Sequence, residues 1–179
     1  MQRLLTLPTL ASAGLVMALV SFAALAGAWA FEFAGYKPCP LCLEQRLAYY
    51  VAVPGGVLAA ILASTAPRTA AIILGVCGAL LAYNAGLGVY HSGAEWKFWP
   101  GPETCAVAQE LSRTPADLLR SLQNSQVVRC DEAPLRILGL SLAGYSALIS
   151  VALAAVVAVA LTRFLRKGVR GPELSAARR

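Results

Sequence analysis

The sequence predicts an all-α membrane protein, a four-transmembrane-helix bundle with two outer loops, the second carrying a short amphipathic helix. Two observations carry that expectation. Of 179 residues, 58% are hydrophobic and only 13% charged, where ordinary soluble domains carry roughly a quarter charged residues. Such a chain cannot cover a globule's surface with charge, so its solvent is lipid. The apolar residues also fall into four separate runs, each close to the ~20 residues that cross a ~30 Å hydrocarbon core. Lipid offers the backbone no water, so each run is expected to be helical.

The runs extend from about Leu10 to Phe33, Leu47 to Ala66, Thr69 to Tyr90 and Ile137 to Leu161. They make one membrane domain, 1–179, with outer loops at about 34–46 and 91–136 and a tail at 162–179. The first run has Arg3 before it and Ala28-Trp29-Ala30 in a cleavage-like position. It exceeds the about 7–15 apolar residues of a signal-peptide core, so an uncleaved helix is expected. In the third run Gly75, Gly78, Gly86 and Gly88, among many alanines, allow close helix–helix approach. Only a short turn around Pro67 and Arg68 joins the second and third runs.

Four crossings put both termini on one face and the first and third connections on the other. Lysines and arginines barely discriminate the faces. Arg3, Arg68, Arg163, Arg166, Lys167, Arg170, Arg178 and Arg179 stand on the terminal face; Lys37, Arg46, Lys97, Arg113, Arg120, Arg129 and Arg136 stand opposite. The dense basic cluster directly after the fourth run favours termini inside. That placement also accounts for the net charge of +6, so nucleic-acid binding is not expected.

The cysteines agree. Cys39 and Cys42 lie in the first outer loop, Cys105 and Cys130 in the second, and Cys77 alone within the third run. Disulfides persist outside the cytosol, which suits four loop cysteines on the outer face. Cys39-Pro40-Leu41-Cys42 stands where the chain enters its second helix, and a helix N-terminus stabilises a thiolate. Arg46 follows Cys42 by four residues, placing both on one helical face. Pro38 and Pro40 stiffen the approach. This combination suits redox cycling better than stapling, because so small a ring constrains little chain entropy. A Cys-x-x-Cys can also be half a zinc site, but there is no second close pair and His91 is the only histidine, so no metal is expected. Cys77 reads as a small packing residue.

A bridge between Cys105 and Cys130 would close a long exposed loop, reachable by another protein's thiolate. Inside that loop Thr114, Pro115 and Asp117 suit a helix start. Leu111, Leu118, Leu119 and Leu122 share roughly one face, as in a helix lying on the membrane surface; a loop helix packed on the bundle fits as well. Trp96, Phe98 and Trp99 read as interface anchors or as the wall of a site for a flat aromatic ligand. His91, one turn from Glu95 if the helix continues, is a candidate for proton transfer near a reduced cofactor, or an interfacial polar group.

In this order of elements the chain resembles the disulfide bond formation protein B (DsbB) family of Gram-negative bacteria. The resemblance is carried by the four helices, Cys39-Pro40-Leu41-Cys42 with Arg46, the run from Tyr90-His91 to Trp99-Pro100-Gly101-Pro102-Glu103-Thr104-Cys105, and Cys130. Gln45 departs from it, since members often carry an acid immediately before the arginine. The resemblance implies a protein dithiol:quinone oxidoreductase of the bacterial inner membrane. Its partner would be a periplasmic DsbA-like thiol oxidase, its cofactor ubiquinone or menaquinone from the membrane pool. It further implies redox-active bridges Cys39–Cys42 and Cys105–Cys130. Cys105 would take the mixed disulfide with the partner, Cys42 would face the quinone, and Arg46 and His91 would belong to the quinone site. Two other readings remain: a structural membrane protein with static loop disulfides, and a vitamin-K-epoxide-reductase-like quinone reductase.

Overall fold

The computed structural model describes residues 10–101, 130, 133 and 135–176, with backbone alone for 167–176. Four helices organise it: α1 Leu10–Phe33, α2 Pro40–Leu62, α3 Pro67–Glu95 and α4 Leu142–Ala176. Each holds a segment long and apolar enough to cross a membrane. They pack as a bundle in which α1 meets α2, α2 meets α3, α3 meets α4, and α4 returns to α1. Leu19, Phe22, Ile61, Ile72, Val76 and Leu148 point outward, a belt of aliphatic surface that water would penalise and lipid accepts. The core is narrow and made largely of small residues. Ala13, Met17, Ala52, Ala59, Ala70, Leu74, Leu81 and Val157 are buried together. The expected amphipathic helix around residues 111–122 and Cys105 lie outside the described residues.

Small residues set the helix spacing, at only some of the expected positions. A Cβ on Gly78 would lie 2.8 Å from Val157 Cγ1, and one on Gly88 2.9 Å from Ala147 Cβ, so both glycines hold α3 against α4. Gly75 has ordinary spacing and Gly86 faces open space. A close backbone-to-backbone approach joins Gly14 of α1 to Gly56 of α2, where added Cβ atoms would fall 2.6 and 2.5 Å from the facing carbonyl oxygens.

Helix boundaries follow local capping rather than hydropathy. Helix α2 starts at Pro40, well before the apolar run at Leu47. Cys39 is its N-cap, extended at φ −78° and ψ 164°, and its Sγ accepts from the Cys42 N–H. Proline follows at the first helical position, where its missing N–H costs nothing. Helix α3 continues through His91 to Glu95. It ends where Lys97 turns left-handed at φ 62° and the Phe98 N–H donates to the Gly93 carbonyl, a Schellman-like stop. Trp99 then folds back onto α3: its indole N–H donates to the Tyr90 carbonyl at 2.8 Å, and its ring stacks on Tyr90.

Helix α4 starts later than the apolar run, at Leu142 instead of Ile137. The intervening residues form a hairpin, β1 Arg136–Ile137 with β2 Leu140–Ser141. Leu138 and Gly139 are both at positive φ, 51° and 83°, the backbone of a tight two-residue turn. Ser141 Oγ then accepts from the Gly144 N–H and caps α4.

Candidate functional site

The capping geometry that starts α2 also builds a dithiol. Cys39 and Cys42 are free thiols, and Cys39 donates to Cys42 Sγ at 2.8 Å. Cys39 is buried and Cys42 partly exposed. The hydrogen bond to Cys42, then burial, then the charge of Cys42 push the Cys39 thiol well above its ordinary range, so its proton is held on the sulfur. Cys42 is the acceptor of the pair. Its own backbone N–H is engaged by Cys39, one of the unpaired amide groups of the helix start.

Behind the dithiol, α3 brings up a buried polar group. His91 Nε2 lies 3.6 Å from Cys39 Sγ, and Gln45 Nε2 of α2 lies 2.9 Å from His91 Nδ1. His91 also meets the Cys130 backbone. Glu95, one turn further along α3, places Oε1 3.8 Å from His91 Nε2. Ser141 hydrogen-bonds its carboxylate, Oε2 has no hydrogen-bond partner among the described residues, and Arg136 donates to its backbone carbonyl at 3.2 Å. His91 is 1% exposed, Gln45 4% and Glu95 6%. Water therefore does not reach this cluster freely, and its polar atoms depend on one another.

Cys130 packs into the same place. With Cys39 and Leu41 it forms a small buried cluster, against which Cys42 and Leu87 lie. Cys130 is disulfide-bonded. Cys77 lies apart, in the core between α2 and α3, where a Cβ on Gly55 would meet its Sγ at 2.5 Å.

On the other side of Cys42 is a cavity of about 470 Å³ between α1, α2 and α4. Its walls are mostly apolar, with Leu25, Phe31, Leu142 and Ile149 among them; Cys42, Gln45, Arg46, Tyr49 and Ser146 are among its polar residues, with Tyr36, Lys37 and Tyr145. Arg46 is held at the wall by Glu32 Oε2 at 2.6 Å and by the Ala28 carbonyl at 3.5 Å. Deeper, Tyr49 donates to the Ser146 carbonyl at 3.0 Å and its hydroxyl meets Ser150 Oγ, which also accepts from Asn84. An apolar cavity with a few convergent polar groups is the usual form of a small-molecule site. Its size and lining suit a small, mostly apolar molecule with a polar edge.

The sequence-predicted residues thus separate into two groups. Cys42 and Arg46 line the cavity; Cys39, His91 and Cys130 lie behind it. Trp96, Phe98 and Trp99 are exposed and are not among its walls. Gln45, Glu95 and Tyr49 carry the geometry without having been candidates for it. The first two had one local signal, polar residues one helical turn from Cys42 and from His91. Cys39, Cys42 and His91 also bring ligand atoms within 4.8 Å of one another. A structural zinc site takes four donors, and that group among the described residues contains three.

The family model for disulfide bond formation protein DsbB matches residues 11–160 of the chain. A protein of Rickettsia prowazekii (strain Madrid E), described as uncharacterized protein RP370, is 27% identical over 145 residues, which cover 78% of this chain and 80% of that protein. No solved structure matches the chain.

Proposed function

The chain belongs to the disulfide bond formation protein DsbB family, an oxidoreductase family acting in disulfide bond formation, and from that premise we propose that it is a protein dithiol:quinone oxidoreductase. It takes electrons from a periplasmic DsbA-like dithiol and delivers them to ubiquinone or menaquinone. It is a multi-pass membrane protein of the bacterial inner membrane, with both termini cytoplasmic and the cysteine end periplasmic.

One observation carries the reading: Cys42 belongs at once to a free dithiol and to the wall of an apolar cavity. A static bridge has no use for a cavity, a guanidinium and a buried imidazole around it. In the proposed sequence, the partner's thiolate attacks the bridge that includes Cys130, with Cys105 taking the mixed disulfide. The second partner thiol releases its own disulfide and leaves Cys105 and Cys130 reduced. One of these then attacks the Cys39–Cys42 bridge, and exchange leaves Cys39 and Cys42 as the dithiol. Cys130 and Cys39 share one buried cluster, which brings the two centres to the same end of the bundle. A bound quinone supplies the two-electron, two-proton acceptor for closing that dithiol. Arg46 and Cys42 would hold its polar edge, with Gln45 and Tyr49 also in the lining. Arg46 contributes a fixed positive charge and a planar donor fork; the apolar walls exclude water.

The test is purification with native lipid and titration with a reduced thioredoxin-like dithiol, followed by the quinone absorbance. Stoichiometric bleaching that Cys42→Ser abolishes is the expected outcome. Absence of any quinone-dependent thiol oxidation would refute the reading.

A further inference from the structure

We propose that His91 is the base that takes the Cys39 proton when the Cys39–Cys42 bridge closes, that Glu95 is the carboxylate that shares this proton, and that Gln45 is a positioning residue for the ring. The inference rests on the thiol:quinone reading and adds to it the route of a proton.

Closing the bridge forms one S–S bond, sends two electrons to the acceptor and frees the protons of the dithiol. Cys42 faces the cavity, where the acceptor's own oxygens need protons. Cys39 faces the opposite way, at 4% exposure, and holds its proton tightly. That proton therefore leaves to a base within the protein. His91 Nε2 stands 3.6 Å from the sulfur, and His91 is the chain's single histidine. The ring is absent from the cavity lining, which separates this task from contact with a quinone.

An imidazolium formed at such a buried site needs an anion beside it. Glu95 Oε1 is 3.8 Å from the same Nε2; the carboxylate also takes a hydrogen bond from Ser141, and Oε2 is buried with no hydrogen-bond partner among the described residues, a place for a proton. Gln45 lies 2.9 Å from Nδ1; with the amide turned so that its carbonyl accepts from Nδ1–H, Nε2 is left bare to take the proton, and the same contact serves the imidazolium. The groups facing this cluster are Cys39 and Cys42 from α2, Glu95 from α3 itself, the Cys130 backbone, and Arg136 at the Glu95 carbonyl. Arg46 is turned away, onto Glu32.

Reduced full-length protein, freed of quinone, is treated with oxidised glutathione. The Cys42 thiolate displaces one glutathione thiolate and forms a mixed disulfide. Cys39 then attacks the Cys42 sulfur, expels the second glutathione thiolate, closes the bridge and gives its proton to His91. Mass spectrometry follows the mixed disulfide. His91→Gln and His91→Asn should prolong its lifetime by roughly a hundredfold, the usual scale of a lost general base, and flatten the pH profile of closure. Glu95→Gln should shift that profile with a smaller loss of rate. Gln45→Ala should slow closure and Gln45→Glu should restore it, because a carboxylate also holds Nδ1–H. In quinone turnover the His91 variants should lose kcat with KM within about twofold of wild type, the pattern of a lost transition-state interaction. Closure at the wild-type rate in both His91 variants overturns the proposal. So does a pH profile that neither His91→Gln nor Glu95→Gln moves, or a quinone KM that rises while closure is unchanged. If wild-type protein closes its bridge with glutathione but never reduces quinone, the thiol:quinone reading fails, and His91 is judged on closure alone.

Discussion

Cys130 shares a small buried cluster with Cys39 and Leu41 at one end of the bundle. The two are far apart in sequence, one late in the long second outer loop and the other capping α2. The shared cluster puts a disulfide-bonded cysteine beside a free dithiol, the arrangement a thiol–disulfide relay requires. The same end of the bundle receives Arg46, Gln45, His91 and Glu95, so changes there should affect separable steps.

The cysteines should divide the labour. Cys39→Ser or Cys42→Ser stops electron delivery to quinone, while Cys105→Ser or Cys130→Ser stops oxidation of the protein partner. Cys77→Ser leaves turnover nearly intact, because Cys77 packs in the core against Gly55 and touches neither centre. Gly55→Val, by contrast, forces a side chain into the Cys77 sulfur and should destabilise the bundle by about 1–3 kcal/mol, the usual cost of overpacking. Quinone turnover and detergent melting curves check both arms; loss of activity in Cys77→Ser with an active Cys105→Ser would refute the relay.

Alkylation of the reduced protein should be unequal. Cys39 keeps its proton above the ordinary thiol range, through its hydrogen bond to Cys42 and its burial. At neutral pH iodoacetamide should therefore modify Cys42 well before Cys39. A raised value means the reactive anion at Cys39 appears only as pH climbs past that range, so its labelling should rise late and steeply. Peptide mapping over a pH series reads this, and equal rates for both cysteines at pH 7 would contradict it.

Arg46 should act on the quinone and not on the partner. Arg46→Ala should raise the quinone KM about tenfold, since a charge contact at a partly buried helix end is worth up to about 2 kcal/mol and 1.4 kcal/mol is about tenfold. Arg46→Lys keeps the charge without the fork and should be intermediate. Glu32→Gln loosens the 2.6 Å pair that aims the guanidinium and should raise KM more modestly. Exchange of Cys105 with the partner should be unchanged in all three. An unchanged KM in Arg46→Ala would reduce Arg46 to an interfacial arginine.

The proposed topology, argued from the basic tail and the loop cysteines, makes a direct prediction. Reporter fusions after Arg68 should show cytoplasmic activity, and fusions after Glu103 periplasmic activity. A periplasmic signal from the Arg68 fusion would invert the orientation.

The sequence by itself determined the solvent and the architecture. Hydropathy is a local property, and four runs of spanning length admit only helices in lipid. It also marked Cys39, Cys42 and Arg46, because a pair at a helix start and a charge one turn later are local patterns. It misplaced the starts of α2 and α4, since capping at Cys39 and Ser141 decides where a helix begins and apolar content does not. What only the tertiary structure decided is which residues meet. Gln45, His91, Glu95 and Cys130 converge on Cys39 because glycine contacts such as Gly14–Gly56 and Gly88–Ala147 fix how closely the helices approach. Helix rotation then turns His91 toward Cys39 and away from the cavity, while Arg46 faces it. No single-chain periodicity encodes that choice, because it depends on how the small-residue faces of different helices fit together.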